Sequence, residues 1–158
     1  MRTEIDPRTG LEILDRDECW KLIAHCPIGR VAIVSMSGRP LMFPVNFVLD
    51  GGAVVFRTDA GTKLYGARRG PIAFECDGID SVYHTGWSVL ATGNAEEVEN
   101  GAELARLARL PLGPWGPGPK STWLRLRPQM LTGRRIPAPG HRQTEGADDD
   151  TQRHGAGE

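Results

Sequence analysis

Three apolar runs follow one another between residues 28 and 58, IGRVAIVSM, LMFPVNFVL and AVVFRT, and the links between them are only SGRP and DGG. Links this short that carry glycine close antiparallel hairpins, because a parallel return needs a crossover of a dozen residues or more. The chain is therefore committed to a β-meander. The centres of two runs, VAIV and AVVF, do not alternate between apolar and polar. Both faces of those strands are expected to be buried, as in a small barrel packed on a helix or on a second subunit.

The rest of the chain extends this pattern. PIAFECDGI at 71–79 and GWSVLATGNAEEV at 86–98 read as a fourth and a fifth strand, and TWLRLRP at 122–128 and MLTGRRI at 130–136 as two more. A first helix is predicted in LDRDECWKLIAHCP at 14–27. Asp15 is its cap, Glu18 stands three residues later, and Trp20, Ile23 and Ala24 share one face. A short helix is expected in GTKLYGARRG at 61–70. Another is expected in NGAELARLARL at 100–110, with Leu104, Leu107 and Leu110 along one side. PLGPWGPGPK at 111–120 is a loop that holds Trp115. About seven strands and three helices give a mainly β fold, a six- to seven-stranded antiparallel split β-barrel with peripheral short helices.

Residues 137–158 contain no large apolar side chain and are rich in Gly, Pro and charge, so they are expected to be a disordered tail. The expected organisation is an N-terminal extension at 1–11, a barrel domain at 12–136 and the tail at 137–158. A net charge of −1 gives no general attraction to nucleic acid or to an anionic membrane. No run is apolar enough for a leader or a membrane span, so a cytoplasmic protein is expected. Cys19, Cys26 and Cys76 have neither a disulfide framework's density nor a zinc site's spacing, and read as buried apolar residues.

The stretch FRTDAGTKL at 56–64 carries the chemistry. Arg57 ends a strand, Gly61 permits a tight turn, and Thr62 can cap the helix that follows. Thr58 and Thr62 supply hydroxyls, Arg57 a planar fork and Lys63 a mobile charge. Such a set suits a phosphate monoester of about −2 charge. The alternative from the residues alone is a solvated turn. Arg125 and Arg127 alternate with Leu124 and Leu126, and a solvated face is expected for them.

The order FPVNFV, DGG, VVFRT, GTK, followed by GWSVLATGNAEEV and WLRLRPQMLTGRRI, resembles the FMN-binding split-barrel superfamily. Within it, the chain is similar to the pyridoxamine 5'-phosphate oxidase-like branch that includes the 5-nitroimidazole-resistance proteins. The resemblance covers residues 19–136. It implies a homodimer with two FMN sites at the subunit interface. By the same resemblance Arg57, Thr58, Thr62 and Lys63 hold the phosphate. Pro44, Val45 and Asn46 line the flavin ring, and a second subunit brings Trp87 and Ser88 over it, with Trp115 and Trp123 as further aromatics.

The activity implied is that of a flavin-dependent oxidoreductase that passes a hydride between the ring and an unknown small molecule, with a nicotinamide as electron donor. No protein nucleophile and no metal are expected. The ordered part ends near Ile136 in an acidic, Gly-rich tail, which separates the chain from pyridoxamine-phosphate oxidase itself. Two alternatives stand beside this reading. One is a deazaflavin-dependent reductase, for whose longer anionic tail Lys63, Arg68 and Arg69 could supply charge. The other is a non-catalytic dimeric module that binds flavin or haem.

Overall fold

The structure is a computed structural model and describes residues 4–59, 61, 66–68, 70–113 and 115–137. A first hairpin is made by β1 (Glu4–Ile5) and β2 (Glu12–Leu14), followed by α1 (Arg16–Ala24). Then come β3 (Gly29–Val34), β4 (Pro40–Val45), β5 (Phe47–Asp50), β6 (Ala53–Thr58), β7 (Pro71–Asp80) and β8 (Thr85–Glu97). The chain continues through α2 (Gly101–Leu107), β9 (Thr122–Leu126) and β10 (Met130–Ile136).

One path of strands runs β1-β2-β10-β8-β7-β3-β4, and a second set runs β5-β6-β9, joined to the first where β9 pairs the end of β8. All pairings among the described residues are antiparallel. This is the expected split-barrel plan of a mainly β chain. More strands are present than the seven runs suggest, for two reasons. The run 41–49 breaks at Asn46, where the chain leaves β4 in one sheet and enters β5 in the other, as at a sandwich corner. The stretch before residue 15 also adds β1 and β2, with β2 pairing β10.

The turn between β5 and β6 has Gly51 at φ 55° and Gly52 at φ 75°. Positive φ at both central residues matches the right-handed twist of the strands, and glycine takes it without a Cβ penalty. AVVF fails to alternate because β6 separates two cores. Val54 and Phe56 lie in a main core with Ile23, Val31, Ile33, Phe74, Val89, Leu124 and Leu126. Val55 points the other way, into a second cluster with Val98, Leu107, Leu112 and Trp123, to which Leu104 and Leu110 add.

Helix α1 starts where expected: the Asp15 carboxylate accepts a 2.8 Å hydrogen bond from the Glu18 N–H, satisfying one free amide of the first turn. Its buried pair is Cys19 and Ile23, one turn apart, while Trp20 is half-buried and Ala24 is exposed. The expected face was thus displaced by one residue toward Cys19. Residues 66–68 are helical, and a Cβ on Gly66 would come within 2.5 Å of Ile33, so this turn lies directly on β3. Half of the stretch 61–70 expected to be helical, residues 62–65 and 69, lies outside the described residues, as does the tail from 138 onward. No helix among the described residues is long and apolar enough to cross a membrane.

Candidate functional site

Arg57 closes β6, opposite Trp123 on β9. Its Nε donates a 2.7 Å hydrogen bond to the Lys120 carbonyl oxygen, and its guanidinium carbon stands 5.0 Å from the centre of the Trp123 ring. Both contacts fix the fork in place. Neither uses the terminal amino groups, which make no hydrogen bond or ion pair among the described residues. The result is a held cation with free donors at the end of a strand.

Thr58 follows at 2 % exposure, and its hydroxyl donates to the Asp59 carbonyl oxygen at 3.3 Å. Asp59 in turn accepts a 3.0 Å bond from Lys120 Nζ. Thr62 and Lys63 lie outside the described residues. Of the four expected phosphate ligands, the structure therefore describes Arg57 and Thr58 as strand neighbours.

Asn46 is the corner residue between β4 and β5. It lies next beyond the Phe47–Phe56 pair, on the side of Arg57. Its Oδ1 accepts a 2.8 Å bond from the Trp115 N–H, and its Nδ2 donates to the Pro27 carbonyl oxygen at 3.4 Å. Asn46 and Arg57 thus tie down the middle and the C-terminal end of the Pro/Gly loop between α2 and β9. Sequence reasoning missed Lys120, Asp59 and this loop as part of the site. The only signal was the register of β6 on β9, which no local pattern around residue 57 reveals.

Pro44 and Val45 face opposite ways. Val45 is buried at 7 %, opposite Gly29, whereas Pro44 is exposed on the outer face, opposite Arg30. Cross-strand partners share a face, so a row Pro44, Arg30, Glu75, Leu90, Thr132 runs across five strands. Ser88 stands one row away on the same outer face, between Asp77 and Arg134. On this face Arg30 donates to Glu75 at 3.0 Å and to Asp77 at 2.7 Å. Around these ion pairs Met42, Val34, Leu90 and Met130 remain exposed.

Trp87 stands over Gly78, where a Cβ would come within 2.6 Å of its Nε1. It lines a cleft of about 480 Å³ with Gly78, Ile79, Thr85, Arg135 and Ile136. Trp87 and Ser88 lie near the start of β8, whereas Glu97 at its other end is the residue that neighbours β9 beside Trp123. Ten residues of strand, about 33 Å when extended, separate the two ends. Within one chain the structure therefore brings Arg57, Thr58 and Asn46 together and leaves Trp87 and Ser88 apart from them.

The structure also describes several of the other charged and thiol side chains. Arg125 does not lie on a solvated face: it is 5 % exposed and donates to Glu103 at 2.5 Å and to Glu96 at 3.2 Å. The packing of α2 across β9 is what covers it, while Arg127 is exposed. Arg68 is engaged by Glu97, and Arg69 lies outside the described residues. The three thiols are free, and burial pushes the pKa of each upward, that of Cys76 most. None is a ready thiolate at neutral pH. Among the described residues no three His, Cys, Asp or Glu side chains converge as a metal site.

The structure is thus a two-sheet antiparallel split barrel with an arginine presented at a strand end beside a sheet-switching corner. The pyridoxamine 5'-phosphate oxidase family profile matches residues 15–135, and the chain belongs to that family. An uncharacterised protein of Mycobacterium tuberculosis is 36% identical over 140 residues, covering 84% of this chain and 91% of that one. The FAD-binding protein of Mycobacterium smegmatis superposes with a TM-score of 0.67 at 37% identity, covering 78% of this chain and 97% of the other. A candidate pyridoxamine 5'-phosphate oxidase of Corynebacterium glutamicum gives a TM-score of 0.70 at 33% identity, covering 80% and 92%.

Proposed function

We propose that the protein is a homodimeric flavin-dependent oxidoreductase that binds FMN and acts on a small molecule, with a nicotinamide as electron donor. The observation that carries the reading is Arg57, whose Nε is fixed on the Lys120 carbonyl while its terminal amino groups make no hydrogen bond among the described residues. A fork held in advance loses little freedom when it takes a phosphate, and it suits the phosphate's planar pairs of oxygens. When bound, the flavin supplies the hydride chemistry, and the protein's part is to bind and orient it. Arg57 would hold the phosphate together with Thr62 and Lys63, and the β4–β5 corner would line the ring through Val45 and the backbone of Asn46.

The second subunit is supported by the outer sheet face. Met42, Val34, Leu90 and Met130 expose apolar surface there around the Arg30 ion pairs. Association of two such faces would cover that surface and bring Ser88 and the Trp87 cleft of one copy toward the other. FAD is the second reading, favoured by the 37% identity to an FAD-binding protein.

Equilibrium titration with FMN and with FAD tests the proposal. The wild type should bind one of them, with a change in visible absorbance. Arg57→Ala should weaken that binding roughly 10- to 150-fold, the worth of a charge-assisted hydrogen bond of about 1.5–3 kcal/mol. Unchanged affinity in a folded Arg57→Ala variant overturns the reading. Tight binding by a monomer overturns the shared site.

A further inference from the structure

We infer that Trp115 is the aromatic wall of the Arg57 site, and that Asn46 is the residue that positions it. The inference rests on the flavin-nucleotide reading above. It adds a role for two residues: Trp115 stacks on an aromatic ring of the nucleotide whose phosphate Arg57 takes.

The geometry begins with the loop between α2 and β9. It is rich in Pro and Gly, and its described residues form no helix or strand. Leu112 anchors its start in the second core cluster, and the rest of its hold on the barrel comes from site residues. Asn46 Oδ1 accepts from the Trp115 N–H at 2.8 Å, Arg57 Nε donates to the Lys120 carbonyl at 2.7 Å, and Lys120 Nζ binds Asp59 at 3.0 Å. Asn46 neighbours Arg57 across the β5–β6 register. The last ladder pair of these strands is Phe47–Phe56, and Asn46 and Arg57 are the next residue on each side, so the Trp115 backbone is tied to the same end of the β5–β6 hairpin as Arg57.

The indole is 70% exposed although its backbone is anchored. Trp123, the other tryptophan of this region, is buried under Arg57. A fixed backbone that carries an exposed indole, on the loop whose other polar anchor is the Arg57 guanidinium, is suited to hold a flat, anionic ligand. The ring offers a π-face and the guanidinium offers hydrogen bonds.

Asn46 was expected to touch the flavin ring. Its carboxamide oxygen accepts from the loop, and its nitrogen donates to Pro27. It joins three segments at the corner: the end of the α1–β3 link, the β4–β5 junction and the Trp115 loop. This makes it a positioning residue.

The test is a set of titrations with FMN, FAD and inorganic phosphate on the wild type, Trp115→Ala, Trp115→Phe, Asn46→Ala and the Trp115→Ala/Asn46→Ala double variant, with Arg57→Ala alongside. Trp115→Ala should weaken a flavin nucleotide roughly 5- to 150-fold, and Trp115→Phe should recover most of that. Phosphate affinity should be unchanged by Trp115→Ala and lost in Arg57→Ala. Asn46→Ala should weaken the same nucleotide in the wild type and do nothing more once Trp115 is gone, a non-additivity that a general loss of structure does not produce.

A loss seen with both nucleotides assigns the stacked ring as the isoalloxazine, and a loss with FAD alone assigns it as adenine. Full nucleotide affinity in Trp115→Ala, with Arg57→Ala impaired, overturns the wall and leaves the flavin reading standing. A wild type that binds neither nucleotide removes both.

Discussion

Arg125 on β9 and Glu103 on α2 are joined by a 2.5 Å hydrogen bond beneath the helix. Close by, Arg106 donates to both carboxylate oxygens of Asp50 at 2.8 Å. The bond from Arg125 holds the Glu103 carboxyl below its usual range, and the bond from Arg106 does the same for Asp50. For a carboxylate with a depressed folded-state pKa, the stability it contributes is present above the unfolded value of about 4 and is lost as pH falls through the folded value. Urea midpoints should therefore drop as pH falls from about 5 toward 3. Glu103→Gln should show a shallower drop, and an unchanged slope would contradict the linkage.

Gly78 gives Trp87 its seat. A Cβ there would meet the indole Nε1 at 2.6 Å and Cε2 at 2.8 Å. Gly78→Ala is expected to displace the ring, changing the near-UV circular dichroism and the tryptophan emission. Overpacking of this kind costs about 1–3 kcal/mol, with the lower end expected because the indole can turn away. Spectra identical to wild type would show that the ring does not rest on this glycine.

Leu90 sits mid-row on the uncovered sheet face, between Glu75 and Thr132. Leu90→Arg should leave the monomer fold intact, since the side chain points away from the core. It should convert a sedimenting dimer to a monomer, because a long charged side chain at the centre of the contact must be desolvated and displaces the facing surface. A dimer that survives both Leu90→Arg and Met42→Glu would place the subunit contact elsewhere.

The fold was legible where local signals agree with tertiary packing. AVVFRT and MLTGRRI form β6 and β10 with the bounds the sequence suggests. Asp15 caps α1, and the DGG turn closes the β5–β6 hairpin. What escaped depends on distant partners. Asn46 interrupts an apolar run of uniform appearance, since a strand that changes sheets keeps its hydrophobicity on both sides of the corner. Arg125 reads as surface because arginine on an alternating strand usually is, and only the tertiary arrangement brings Asp50 of β5, Glu96 of β8 and Glu103 of α2 to it. In the site, the strand-end arginine was legible from type and position. The carbonyl that fixes it lies 63 residues away, a pairing that no window of sequence contains.

That separation has a consequence for how the protein is born. Synthesis proceeds at about 5–20 residues per second, so Arg57 leaves the ribosome several seconds before Lys120 and Trp123 can reach it. During that interval the β5–β6 hairpin can close, but β6 has no β9 beside it, and one edge of its ladder stands open with Val54 and Phe56 uncovered by Leu124 and Leu126. Such an edge invites pairing with a neighbouring chain. The strand end that carries the candidate binding arginine is therefore also the nascent chain's most exposed risk, and the last third of the sequence closes it and completes the site in the same step.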